Sequence, residues 1–282
     1  MIQQPLQTAS SEVSKARRNG SVWDYLSPSR LNLWMRCPLA FKLRYIEGVR
    51  TPTTTSMFLG KCVHAGLEIL YRHRMLGVTL ARDDVVRRAT EIWDESVVEE
   101  AIAFKSADDE AALRNQMNSL LTTYLDQLPA DEPRPRGVEV TMEMPLVDPQ
   151  NNEDLGMPLL GVVDLIQQAE DGDQIIDFKT SSRSGPPFDV THEVQLSCYA
   201  YLYRQMTGKD ESGLEIRSLV KTKKPKIDCH SYPARSPRHF DRLFRIIREY
   251  LDALHAGRFN YRPGWACGMC DHRETHCKQW CG

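Results

Sequence analysis

The sequence lacks any long apolar run: no stretch approaches the roughly 18 consecutive apolar residues that a membrane-spanning helix needs. Residues 1–19 are polar and have no apolar core, which is not the pattern of a secretory signal peptide. Internal repeats and low-complexity tracts are also absent. We therefore expect a cytoplasmic protein with no membrane partner, in which residues 1–22 form a flexible tail and residues 23–282 a single domain.

The chain also has little net charge, because 36 basic and 38 acidic residues leave a formal charge of −2 at pH 7. No overall basic field marks it as a nucleic-acid-binding protein, so any such patch must be local. One candidate is the basic turn from Lys221 to Lys226. A second is a series spaced at three and four residues, which covers one helix face: Arg238, Arg242, Arg245 and Arg248. An ordinary solvated surface is the alternative interpretation of that series.

Apolar spacing is helical up to residue 128, and from Gly137 it changes to the two-residue alternation of strands. Helices are predicted over residues 27–36, 38–46 and 57–76, with two more within 81–128. After a Pro-rich break, strands are predicted over 138–142, 159–167, 174–180, 214–222 and 227–232, and helices over 192–205 and 237–256. This order indicates an α/β or α+β domain with a mixed β-sheet. We interpret residues 57–130 as a helical insertion or lid and 137–256 as the core.

Three charged residues interrupt two of the apolar strands. Asp177 and Lys179 share one strand face, and Asp164 lies on the partner strand of a predicted hairpin that turns at residues 170–173. Charges inside apolar strands are costly unless they bind something. Two carboxylates, with the Phe178 carbonyl nearby, offer the oxygen ligands that Mg²⁺ or Mn²⁺ prefers. Because Asp-x-Lys is a common tripeptide, a surface hairpin with solvated charges is the alternative.

This constellation suits phosphodiester hydrolysis, a reaction for which an enzyme must supply ~8–23 kcal/mol or more. A lone general base contributes only about 10²- to 10⁴-fold, so Lys179 cannot carry the reaction by itself. A divalent ion that binds the phosphate and lowers the pKa of its water can contribute much more. His64, at the edge of a predicted apolar helix face, could complete the ligand shell and favour Mn²⁺. Its alternative is a hydrogen-bonded helix histidine.

Gln195 and Tyr199 are four residues apart, so they share one face of a predicted helix. The Gln195 amide could hold a phosphate or the attacking water, and Tyr199 could stack on a base or bond a phosphate. The alternative is that Tyr199 belongs to the core.

The eight cysteines, in a chain without a secretion signal, favour metal ligands, catalytic groups or buried thiols over disulfides. Four of them crowd the last sixteen residues: Cys267, Cys270, Cys277 and Cys281. Three thiols this close indicate a metal. We expect Trp265, Met269 and Trp280 to shield it from water. The scattered cysteines Cys62, Cys198 and Cys229 are expected to be small buried side chains.

The fourth ligand is open between several residues. A local zinc site would use Cys281, His272 or His276. An iron–sulfur cluster would take four cysteines, and Cys37 is then the natural distant candidate. A link between Cys37 and Cys267 would close a loop of about 230 residues, which stabilises by on the order of 5 kcal/mol in the loop-closure model.

Several short motifs follow one another in a fixed order. They are Leu59-Gly60-Lys61-Cys62-Val63-His64 with Leu67-Glu68, then Gly161-x-x-Asp164, Asp177-Phe178-Lys179 and Gln195-x-x-x-Tyr199. Taken together they resemble the RecB-type branch of the PD-(D/E)XK nuclease superfamily, over the span from Ser27 to Cys281. The resemblance implies a restriction-endonuclease-like core and a metal-dependent DNA nuclease. It further implies an exonuclease that acts on single-stranded or frayed DNA ends in recombination, repair or defence.

The resemblance also implies a role for each motif residue. His64, Asp164 and Asp177 would bind Mg²⁺ or Mn²⁺, together with the Phe178 carbonyl. Lys179 would orient or activate the water. Gln195 and Tyr199 would position the DNA strand.

The cysteine pattern is similar to the iron–sulfur subset of this branch, which includes the AddB nuclease domain and the CRISPR-associated RecB-like exonucleases. It implies that Cys37, Cys267, Cys270 and Cys277 hold a structural [4Fe–4S] cluster that pins the C-terminus. Cys281 is an additional thiol, so the fourth ligand stays open. Members of this subset thread a single strand beneath a helical roof, which residues 81–128 could form.

No helicase motif is present, so the nuclease would act alone or with a helicase or integrase partner. The alternatives are an end-trimming subunit of a larger recombination or CRISPR-adaptation complex, and a non-catalytic DNA-binding module.

Overall fold

Two short helices begin the part of the chain that the computed structural model describes, which comprises residues 21–129, 131–185 and 189–280. Helix α1 spans Pro28–Arg36 and α2 spans Pro38–Tyr45. The Ser27 hydroxyl accepts a hydrogen bond from the Arg30 N–H at 3.3 Å, and each helix has proline in its first turn, as the sequence predicts. Cys37 is the extended residue between the two helices.

Three longer helices form a layer on one face of the sheet. They are α3 (Thr55–Met75), α4 (Arg82–Glu99) and α5 (Ala107–Gln127). Side-chain hydroxyls of Thr54 and Ser106 accept hydrogen bonds from first-turn N–H groups and so cap α3 and α5. All three helices lie where the apolar spacing predicts them.

Five strands form one sheet in chain order: β1 (Pro135–Val147), β2 (Asp154–Ala169), β3 (Gly172–Ser181), β4 (Gly213–Val220) and β5 (Lys226–Pro233). Neighbouring strands are antiparallel except β3 and β4, which are parallel. Helix α6 (Asp189–Thr207) makes the crossover that this parallel pair requires, and α7 (Pro237–His255) follows β5. The predictions of a mixed sheet flanked by helices and of a β2–β3 hairpin are therefore confirmed. Among the described residues, no helix combines the length and apolarity needed to cross a bilayer.

Apolar side chains fill both faces of the sheet. Val138 and Leu165 pack with α3, α4 and α5, whereas Val140 and Val163 pack on the opposite face with α1, α6 and α7. In an uninterrupted strand, residues two apart share a face. Val138 and Val140 are two residues apart but lie on opposite faces, and so do Leu165 and Val163. The alternation of side chains is therefore interrupted in both strands at the same level, at position 139 in β1 and at position 164 in β2. This double irregularity lies at the candidate functional site.

A buried polar cluster ties the helical layer to the sheet. The Arg217 guanidinium, on β4, donates to the hydroxyls of Tyr71 and Tyr124 at 2.9 and 2.8 Å, to Glu132 at 2.6 Å and to Gln167 at 3.1 Å. These partners come from α3, α5, the following connection and β2. Because all four side chains accept hydrogen bonds from the same guanidinium, the cluster fixes the position of α3 relative to β2 and β4.

The segment after α7 returns to the first two helices. The Leu39 N–H donates to the Asn260 carbonyl at 3.3 Å, and Arg262 donates to the Met35 carbonyl. A 3₁₀ turn (Trp265–Met269) and a short π-helical turn follow. The cysteine-rich end of the chain therefore lies beside the junction of α1 and α2, where Cys37 is found.

Candidate metal centre and the groove beside it

His64 reaches the sheet because α3 packs closely against β3. A Cβ atom at Gly60 would lie 3.0 Å from the Thr180 hydroxyl, so this approach favours glycine. One turn further along α3, His64 Nδ1 lies 3.7 Å from Asp164 Oδ1, and 31% of the histidine side chain is exposed. The imidazole therefore faces a carboxylate and keeps contact with solvent, a position from which it can share a cation with Asp164.

Asp164 lies where β2 and β3 separate. The Cα pairing of the hairpin ends at Leu165 and Ile176, and one residue further on an Asp164 oxygen accepts the Phe178 N–H at 2.7 Å. Burial, opposed by His64, Lys179 and the Phe178 N–H and assisted by Asp177, raises the pKa of Asp164 to about 6 in total. The side chain thus substitutes for a ladder hydrogen bond and is held in one orientation.

Asp177 has one oxygen bonded and one oxygen free of hydrogen bonds. Gln195 Nε2 donates to Asp177 Oδ1 at 3.0 Å. Lys179 Nζ lies 2.6 Å from Oδ2, but among the described residues that buried oxygen has no hydrogen-bond partner of good geometry. Asp177 is only 2% exposed, and a buried carboxylate oxygen without a hydrogen bond is costly. Its recorded contact is the ion pair with the Lys179 ammonium, so a divalent cation that bound this oxygen would share or replace that pair.

Tyr199 is part of the core and also borders the site. It is 5% exposed, and burial followed by the charges of Asp177 and Asp164 raises the pKa of its hydroxyl well above the usual value. Gln195 Nε2 donates to this hydroxyl at 2.7 Å. Tyr199 can pack here because β2 has Gly161 opposite α6, where a Cβ atom would lie 2.7 Å from Leu202 and 3.4 Å from the Tyr199 ring. Gln195 thereby links the tyrosine to the acidic centre.

Glu139 is the site residue that sequence reasoning missed. His64, Glu139 and Asp164 each offer a ligand atom, and these atoms all lie within 4.8 Å of one another. Glu139 has a φ of +50°, a left-handed conformation that is rare for a residue inside a strand. Strict alternation would place the Glu139 side chain on the face of the sheet opposite to that of Val138, and so away from α3 and His64. The signal in the sequence was an acid between two valines, in the strand predicted before the one that carries Asp164.

The structure brings every sequence-predicted catalytic residue to one end of the sheet: His64, Asp164, Asp177, Phe178, Lys179, Gln195 and Tyr199. One imidazole and two carboxylates meet within 4.8 Å, and a further carboxylate oxygen beside them lacks a hydrogen bond. This mixed nitrogen and oxygen donor set fits a divalent ion such as Mn²⁺ or Mg²⁺.

A groove of about 1620 Å³ runs from Gln195 and Tyr199, which border this centre, to the cysteine-rich segment; its lining among the described residues includes none of the metal ligands proposed for this centre. Gly161, Gln195 and Tyr199 line one part of it. Four half-buried thiols line another: Cys37, Cys267, Cys270 and Cys277. Burial and the negative charge of the three neighbouring thiolates raise the pKa of Cys277, which places these four sulfurs in one electrostatic neighbourhood. Cys281 lies outside the described residues.

Two expectations about individual side chains are wrong. Trp265 and Met269 are 84% and 79% exposed, so they do not shield the thiols from water. Cys62 and Cys198 are buried as predicted, but Cys229 is exposed, because it lies on the edge strand β5.

Among the described residues, half of the arginine series on α7 is ion-paired, and in the basic turn Lys226 pairs with Asp228 at 3.1 Å. Arg248 on α7 contacts Asp148 at 2.8 Å and Glu153 at 2.7 Å, and Arg242 pairs with Glu193. This arrangement favours the solvated-surface interpretation of the arginine series.

Comparison with known proteins establishes the class. The structure is similar to that of a protein from Eubacterium rectale described as a "Putative exonuclease", with a TM-score of 0.60, 12% identity and coverage of 95% of this chain and 93% of that one. A weaker similarity, with a TM-score of 0.47 and 14% identity, covers 94% of this chain and 91% of a protein named SSO0001. At these identities the likeness to the first structure shows the fold alone. No curated protein sequence matches the chain significantly.

The family model of the PD-(D/E)XK nuclease superfamily matches residues 25–278. The chain therefore belongs to the PD-(D/E)XK nuclease superfamily, which confirms that part of the resemblance seen in the sequence. The RecB-type and CRISPR-associated assignments and the iron–sulfur cluster stay predictions.

Proposed function

We propose that this protein is a metal-dependent deoxyribonuclease, and more specifically an exonuclease that hydrolyses single-stranded or frayed DNA ends. The observation that carries the proposal is the Asp177 carboxylate. One of its oxygens is held by Gln195, and the other lies beside Lys179 without a hydrogen bond, next to His64 and Asp164. Burying charged groups costs free energy, and a solvated ion pair on the surface would avoid that cost. The buried cluster is therefore better explained by catalysis than by stability.

The residues of the chain would divide the work as follows. His64, Glu139, Asp164 and Asp177 would hold one or two divalent ions, with the Phe178 carbonyl as an additional ligand. The ion would neutralise charge on the scissile phosphate and lower the pKa of the attacking water. The Lys179 ammonium, 2.6 Å from Asp177, would orient that water and stabilise the charge that develops on the phosphate.

Gln195 and Tyr199 act on the acidic centre in this proposal as well as on the DNA strand. Because Gln195 donates to both Asp177 and Tyr199, it fixes the rotamer of the carboxylate. Both side chains also line the groove, where they can contact a phosphate of the bound strand.

A cleavage assay tests the proposed function. We expect single-stranded DNA labelled at one end or the other to lose its label in Mn²⁺ or Mg²⁺ and to stay intact in EDTA. The end that loses its label first gives the polarity of digestion. Intact DNA in every metal, with folded protein and a single-stranded substrate, would contradict the proposal and favour a role that needs a helicase or integrase partner.

We also propose that Cys37, Cys267, Cys270 and Cys277 hold a [4Fe–4S] cluster. All four line one groove, and the charges of Cys37, Cys267 and Cys270 contribute to the raised pKa of Cys277. The cluster would hold residues 262–280 against α1 and α2.

Substitution of one thiol tests the cluster. We expect anaerobically purified protein to contain about four irons per chain and to be brown, and Cys37→Ser to lose the iron and the colour. Cys229→Ser is the matched control, because this exposed cysteine lies outside the groove, and its iron content should equal that of the wild type. Zinc in place of iron would refute the cluster. Iron lost in Cys281→Ser but retained in Cys37→Ser would make Cys281 the fourth ligand.

A further inference from the structure

The groove has a strongly one-sided charge. Its described lining includes seven basic residues, of which Arg30 is buried and Arg273 and Lys278 pair with Glu274: Arg30, Arg36, Arg44, Arg50, Arg262, Arg273 and Lys278. The same lining contains a single acidic residue, Asp271. Since the whole chain carries a net charge of −2, this segregation is local and concentrates a positive potential beside the metal centre.

Three of these cations are exposed arginines that lie together in the groove. Arg36, Arg44 and Arg50 are exposed, and within the described residues none of them has an acidic partner inside ion-pair distance. In the α3–α5 layer the exposed arginines are paired: Arg72 contacts Glu68 at 2.7 Å, and Arg87 contacts an acid on its own helix in the same way. An arginine without an acid, in a cleft with two similar neighbours, is a ready partner for a phosphate.

The groove is also lined by exposed aromatic side chains. Trp265 is 84% exposed although it lines the groove, and it stands on a 3₁₀ turn anchored by the bond from Arg262 to the Met35 carbonyl. Tyr261, 51% exposed, contacts the edge of Trp280 with ring centroids 5.2 Å apart. A large indole left in water is costly, whereas the π-face of an unpaired base covers it favourably.

We propose that the groove is the binding tract for a single DNA strand, with Arg36, Arg44 and Arg50 on its phosphates and Trp265 stacked on one of its bases. The inference rests on the proposed nuclease function and specifies its substrate as a single strand, because a base in a duplex presents no free face to an aromatic side chain. The segment that carries the thiols is thereby also a substrate-binding element. Tyr199 and Gln195 join the tract to the metal centre.

The charge component is tested by the salt dependence of binding. Anisotropy of a labelled 20-nucleotide oligo(dT), measured in EDTA so that no strand is cut, gives the affinity at several salt concentrations. For single strands the slope of log K against log salt is about −0.7 per phosphate contact, so Arg36→Ala/Arg44→Ala/Arg50→Ala should reduce its magnitude by about 2. The matched control removes the same charge from the exposed face of α3 and α4: Arg72→Ala/Arg82→Ala/Arg87→Ala. Its slope should stay at the wild-type value.

The stacking component is tested by removing the indole. Trp265→Ala should weaken oligo(dT) binding by about 5- to 100-fold without changing the salt slope, and Trp265→Phe should restore most of the affinity. Trp23→Ala removes an exposed tryptophan outside the groove, at 45% exposure, and should bind as the wild type does. A matching duplex should bind the wild type more weakly and should not respond to Trp265→Ala.

The binding tract and the nuclease function can be refuted independently of each other. If the wild type cleaves DNA in Mn²⁺ but the groove and control triple variants have the same slope, the tract is refuted and the nuclease stands. Equal effects of Trp265→Ala on duplex and single strand would also refute it. If the slope and stacking effects appear but no metal supports cleavage, the tract stands and the catalytic proposal falls.

Discussion

Asp177→Asn should reduce cleavage of single-stranded DNA by about 10³-fold or more, which corresponds to about 4 kcal/mol of transition-state free energy. The asparagine keeps the shape of the side chain and a hydrogen bond to Gln195, but it removes the negative charge that would bind the cation. Lys179→Ala should cost about 10²- to 10⁴-fold for the loss of the ammonium. Rates under single-turnover conditions in Mn²⁺ measure both effects.

The chain contains a matched control for this pair. On β5, Lys226 and Asp228 are also two residues apart, share a strand face and form an ion pair at 3.1 Å. Lys226→Ala and Asp228→Asn remove the same groups from the same sheet, away from His64 and Asp164. Their cleavage rates should be within a few-fold of the wild type. Equal losses in the two pairs would show that the site assignment is wrong and that general charge or stability is responsible.

Glu139→Gln should weaken the apparent affinity for Mn²⁺ in the cleavage reaction by about 10- to 100-fold, with part of the activity recovered at high Mn²⁺. The reason is geometric: the Glu139 carboxylate lies within 4.8 Å of ligand atoms of both His64 and Asp164. Calorimetric titration of Mn²⁺, without DNA, measures the same loss independently of catalysis.

Two further variants separate the carboxylate from the backbone. Glu139→Gly suits the φ of +50° better than glutamate does, yet it removes the ligand, so it should bind Mn²⁺ as poorly as Glu139→Gln while folding normally. Glu143→Gln, an exposed glutamate further along β1, should bind Mn²⁺ as the wild type does. Normal Mn²⁺ binding by Glu139→Gly would mean that the residue serves only the bend of the strand.

Much of the fold could be predicted because its signals are local. The helical spacing before residue 131, the appearance of alternation after it, and the cap at Ser27 each depend on residues within a few positions of one another. The hairpin of β2 and β3 was predictable for the same reason, and with it the convergence of Asp164 and Asp177. The alternation of side chains along β3 predicted that Asp177 and Lys179 share a face, without any tertiary information.

Features that depend on long-range packing were not predictable in this way. The role of Glu139 was missed because β1 and β2 change face together, which no two-residue pattern contains. Trp265 was expected to be covered and is exposed, since what covers an aromatic ring is decided by segments far away in the chain. The position of Cys229 on an edge strand likewise follows from strand order alone.

By itself the sequence determined the order of helices and strands, the identity of the acidic, basic and thiol groups, and the superfamily that their spacing indicates. The tertiary structure decided which of these groups meet. It places Glu139 within 4.8 Å of His64 and Asp164. It also places a groove with unpaired arginines next to Gln195 and Tyr199, and the cysteine-rich end beside Cys37. The physical reason is that periodicity and capping are properties of neighbours in the chain, whereas charge pairing, exposure and ligand convergence are properties of neighbours in space.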